Sequence, residues 1–105
     1  MRFRRGGRFA DVIRRQLDLF EEDESELIAD CEAAERRYVA AERDEAEELY
    51  GDYLDLVAAG TEALAELRDT YASRLDEEAR ERYENEFNRA VLKRLPRFAL
   101  DLDTT

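Results

Sequence analysis

Apolar residues recur along this chain at helical spacing from Phe9 to Leu95. Phe9, Val12, Ile13, Leu17 and Phe20 step by 3, 1, 4 and 3, which places them on one face of a helix over about residues 8–22. Leu27, Cys31, Ala34, Tyr38 and Ala41 then step by 4, 3, 4 and 3. A third series runs Ala46, Tyr50, Tyr53, Val57, Gly60, Leu64, Leu67 and Tyr71, again alternating 4 and 3. Between Ala41 and Ala46 the step is five, and this slip of phase signals a break or a local unwinding. The reading adopted is a link at 43–44 and a third helix at 45–74; its rival is one continuous helix over 24–74. A fourth stripe, Ala79, Tyr83, Phe87, Ala90, Val91 and Leu95, ends at Pro96, which disfavours helix in the residue before it.

Punctuation agrees with this division. Asp23 with Glu26, and Asp44 with Glu47, have the spacing of capping boxes. Asp76 suits an N-cap, with Glu77 and Glu78 placed where the helix dipole favours acids. Residues 1–7 read as a flexible basic arm, 8–96 as the helical domain and 97–105 as a C-terminal tail. In that tail Phe98, Leu100 and Leu102 alternate with polar positions, as in a docked extended segment.

The predicted fold class is all-α: a small bundle of one short N-terminal helix and three longer antiparallel helices, one about 30 residues long. Thirty residues span about 45 Å, more than one helix of about 20 residues can cover. Either the first and last helices share that face or a second chain covers the remainder. The pattern predicts a homodimer through the third helix, with Val57, Gly60, Leu64 and Leu67 near the contact. Gly60, beside Ala59 and Ala63, would admit a partner helix closely, the rival reading being a kink or short turn at Gly60–Thr61, whereas Gly51 falls off the stripe.

Charge changes this picture. The 105 residues carry a net charge of −11, unevenly distributed. Residues 1–16 hold six Arg against Asp11, or +5; residues 17–88 hold 25 acids against seven Arg, or −18; residues 89–105 hold four bases against two acids, or +2. An acidic body repels phosphates, so nucleic acid is not the favoured partner. The basic arm, with Arg2, Arg4, Arg5 and Arg8 interleaved with Phe3 and Phe9, is the candidate contact for an anionic one. No apolar run is long enough to span a membrane, and a cytoplasmic location is expected.

The chain has no His and one Cys, which removes His general bases, His metal ligands and cysteine clusters. Glu45, Glu48, Asp52 and Asp55 step by 3, 4 and 3 along one face, and read as a solvated acidic surface rather than a metal site. Asp55, between Leu54 and Leu56, reads as a flank residue rather than a buried acid. Cys31 has no basic residue one turn to either side and reads as a small core hydrophobe. Gly6 and Gly7 lack the preceding strand of a phosphate loop. The tyrosines read as core residues with their hydroxyls at the rim. The sequence thus points to no catalytic residue, cofactor or metal. It points to a non-enzymatic, acidic helical module that docks on another protein and forms homodimers. The alternative is a nucleic-acid-linked regulator, acting through its basic arm or by docking its acidic body on a basic nucleic-acid-binding protein.

Overall fold

A computed structural model describes residues 7–99. Four helices make up the fold, with no strand among the described residues: α1 (Ala10–Asp23), α2 (Ser25–Ala40), α3 (Arg43–Ala72) and α4 (Glu77–Arg94). A short 3-10 turn at Pro96–Phe98 follows. The described body measures 56 × 28 × 20 Å.

The link between α2 and α3 lies at 41–42, two residues before the expected position. Ala41 and Glu42 both have extended backbone, with φ/ψ of −73/150 and −71/160. Two extended residues suffice to turn the chain without glycine or proline, so α2 and α3 form a helical hairpin. Neither expected capping box forms. Asp23 is the last residue of α1, and the α1–α2 joint is the single residue Glu24, whose N–H still donates to the Phe20 carbonyl at 2.8 Å. The N-cap position of α2 thus falls on Glu24, which makes no side-chain cap, and Asp23 is still inside α1. At α3 the N-cap is Glu42, so Asp44 falls inside the first turn and acts on the helix dipole instead. Asp76 does cap α4: its carboxylate accepts from the Ala79 N–H at 2.8 Å.

The entrance to α1 is capped from a distance. Glu86, on α4, accepts from the backbone N–H groups of Arg8 at 3.1 Å and Phe9 at 3.0 Å, one on each carboxylate oxygen. Its carboxylate occupies the space a Cβ on Gly7 would need.

The core joins Ile13, Leu17 and Phe20 of α1 to Tyr83, Phe87 and Val91 of α4 and to Val57, Leu64 and Ala72 of α3. Cys31 of α2 completes it. Phe98 and Ala99, placed in the tail by sequence, are buried in this core. The Phe98 ring lies edge-on to Phe20 at 5.7 Å and directly over Gly60. Thr61, also buried, donates its hydroxyl to the Phe98 carbonyl at 3.0 Å. Residues 96–99 therefore form a tight turn clamped on α3. Leu100 and Leu102 lie outside the described residues.

Candidate interaction surface

The core covers only part of α3. α4 and the 3-10 turn pack against its second half, with α1 laid on α4, whereas α2 runs along its first half. From Glu35 in α2 to Leu56 in α3 no residue is fully buried. The outer half of the hairpin thus projects as a two-helix arm. Three large apolar side chains lie open on it: Val39 is 72% exposed, Tyr50 42% and Leu54 41%.

Three tyrosines gather on this arm. Tyr38 of α2 packs on Tyr50 at 4.8 Å between ring centroids and lies parallel to Tyr53 at 6.3 Å. Tyr50 and Tyr53, one turn apart on α3, are 6.3 Å apart. At the base of the arm Arg97 ties the C-terminal turn to both helices. Its Nη2 donates to Glu35 Oε1 at 2.6 Å and its Nε to the Tyr53 hydroxyl at 3.1 Å. Its guanidinium also stands 5.9 Å from the Tyr53 ring centre. Those two hydrogen bonds raise the Arg97 pKa above its ordinary value, led by the Tyr53 bond.

Residues 35–56 hold eight carboxylates against three arginines, a net charge of −5. Glu45, Glu48, Asp52 and Asp55 are all exposed. No group of three or more Cys, Asp or Glu side chains among the described residues is arranged to hold a metal ion.

The residues expected at a dimer contact lie elsewhere. Val57, Gly60 and Leu64 are buried in the chain's own core, and Leu67 is half-buried against it. The close approach expected at Gly60 exists, but the group that uses it is the Phe98 ring, not a partner helix. Of the basic arm, Arg8 alone lies among the described residues, with its guanidinium 5.6 Å from the Phe9 ring centre. Arg2, Arg4 and Arg5 lie outside them. Cys31 is buried, and burial pushes its thiol pKa up, away from the thiolate a nucleophile requires.

A groove of about 410 Å³ between α1 and α4 has Ala10, Ile13 and Leu17 on its floor and basic side chains on its banks. Arg94 there is already engaged, donating to Asp18 at 2.6 Å and to Glu21 at 2.8 Å. Arg14 pairs with Asp11 at 3.3 Å. Arg89 and Lys93, which also line it, form no ion pair among the described residues.

Sequence reasoning assigned the tyrosines to helix seams but did not bring Tyr38 and Tyr50 together on an uncovered surface. The usable signal was the run from Ala34 to Val57, which holds few large aliphatic side chains. Protein-family models, curated proteins and solved structures give no match to this chain.

Proposed function

We propose that this protein is a non-enzymatic interaction module that docks on another protein through the outer half of its α2–α3 hairpin. One observation carries the reading: a two-helix arm with no fully buried residue between Ala34 and Val57 and with Val39, Tyr50 and Leu54 exposed together. Two helices alone seldom bury enough apolar surface for their ordering cost, and a partner laid on the arm would supply the missing layer. The alternative, a nucleic-acid-linked regulator, fits this surface in one form, in which the acidic arm docks on the basic face of a nucleic-acid-binding protein.

A photo-crosslinking side chain at Leu54, expressed in the native cells, tests the reading. The expected result is a discrete cross-linked protein species that is missing when the same group replaces Leu92, an exposed position on α4. Equal yields from both positions would remove the arm from the reading.

Self-association through the uncovered half of α3 is the second reading, favoured by the same missing layer. It must work through the hairpin surface, since Val57, Gly60 and Leu64 are already buried and Leu67 is half-buried against the core. Two arms of charge −5 repel, so light scattering at micromolar concentration and low salt is expected to report one chain, 12.3 kDa. A mass of about twice that value would favour the dimer.

A further inference from the structure

Arg97 shows how this surface holds a guanidinium. It lies over one face of Tyr53 while a tyrosine hydroxyl and a carboxylate, Glu35, take its N–H groups. One turn toward the hairpin tip stands Tyr50, backed by Tyr38 at 4.8 Å and 42% exposed. No arginine or lysine among the described residues stacks on Tyr50. Carboxylates are at hand: Glu47 is one turn before Tyr50 on α3, and Glu42 lies in the link that follows the helix of Tyr38. The like charges along that strip are Arg43, two turns before Tyr50, and Arg97 at Tyr53, whose N–H groups are already taken by Glu35 and the Tyr53 hydroxyl. Further round α3, the exposed row Glu45, Glu48, Asp52 and Asp55 continues the negative field.

We propose that Tyr50, backed by Tyr38, is the seat for an arginine side chain from a basic segment of the partner protein, with the neighbouring carboxylates holding the rest of that segment. This rests on the hairpin being the docking surface. Aromatic faces attract cations through the ring quadrupole, and the planar, weakly hydrated guanidinium stacks on a ring better than ammonium does. A local charge of −5 excludes phosphates and selects a cationic segment. Tyr50 supplies the preference for arginine; the acidic row supplies attraction that any cation shares.

Two fluorescein-labelled peptides, (Arg-Gly)5 and (Lys-Gly)5, test this by fluorescence anisotropy against the full chain at low salt. The arginine peptide is expected to bind more tightly than the lysine peptide. Tyr50→Ala is expected to weaken the arginine peptide about 3- to 30-fold and the lysine peptide less, and Tyr50→Phe to leave both nearly unchanged. Tyr50→Leu keeps apolar packing on Tyr38 while removing the π face, so it is expected to lose the arginine preference even if Tyr50→Ala fails to fold. Circular dichroism establishes that each variant used is folded. Equal binding of the two peptides, no binding of either, or an arginine affinity indifferent to Tyr50→Leu would overturn the assignment. If cross-linking from Leu54 still succeeds in that case, the arginine seat alone fails. If Leu54 gives no specific cross-link, the docking arm fails with it.

Discussion

Gly60 and Phe98 show how one residue fixes the meeting of two distant segments. A Cβ at Gly60 would run into the Phe98 ring, and the neighbouring Thr61 hydroxyl holds the Phe98 carbonyl. Gly60→Ala therefore forces the ring out of a packed site and is expected to cost about 1–3 kcal/mol in urea unfolding. Gly51 has nothing near its missing Cβ and is exposed on the same helix, so Gly51→Ala is expected to stabilise by up to about 1 kcal/mol. The heptad stripe marked Gly60 as a point of close approach because a small residue sat in a seam. It could not say what approaches, because Phe98 lies beyond Pro96, in a stretch too short to carry a period. Tyr83 is a second case. Its ring is fully buried and its hydroxyl donates to Gln16 at 2.9 Å. Burial pushes its pKa from 10.0 up to about 12. An unfolded tyrosine thus loses its proton at lower pH than the folded one. The stabilisation this gives the folded state is complete below about pH 10 and is lost as pH rises through about 12. Denaturation midpoints measured from pH 9 to 12 are expected to fall more steeply for the native chain than for Tyr83→Phe.

Helices were legible because each buries a stripe, and burial leaves period in the sequence. Links were less so. The slip between Ala41 and Ala46 located the hairpin turn, yet its position moved two residues because extended Ala41 and Glu42 carry no residue-type signature. The Asp-x-x-Glu spacings at 23 and 44 proved uninformative in a chain where acids are this frequent. The cap at the start of α1 comes from Glu86, 77 residues away from Phe9, and no local pattern encodes such a partner. The hairpin itself is unequal along its length. Its inner half carries Val57, Leu64 and Ala72 into the core, while its outer half has exposed or half-buried residues throughout. Amides that open without disturbing the core exchange first. Native-state hydrogen exchange is therefore expected to show faster exchange for the helical amides of residues 35–40 and 46–56 than for 60–72. Uniform protection along α3 would mean that something already covers the arm.

At the scale of the whole molecule, the sequence held the charge plan and the helix that outruns its cover, but not the way the cover is shared. α4 and the C-terminal turn converge on the second half of α3, and the residues expected to meet a partner, Val57, Gly60 and Leu64, are core. What remains outside is the acidic arm, so the docking surface emerges from the packing rather than from any motif. The same distribution governs stability in salt. The described ion pairs are few and largely at the surface: Arg94 with Asp18 and Glu21, Arg97 with Glu35, Arg14 with Asp11, and Arg68 with Asp69. Exposed pairs contribute about 0–1 kcal/mol each, and salt weakens them. Against them stands a charge of −18 over residues 17–88, compacted into a narrow body where like charges lie closer than in the unfolded chain. At 0.2 M salt the Debye length falls below about 10 Å, which screens the long-range repulsion first. Because the net charge is large and the pairs are few and mostly exposed, the melting temperature is expected to rise from low salt to about 0.2 M. Differential scanning calorimetry across that range decides the point: a melting temperature that falls as salt is added would show that the arginine pairs, rather than the net charge, set the electrostatic balance.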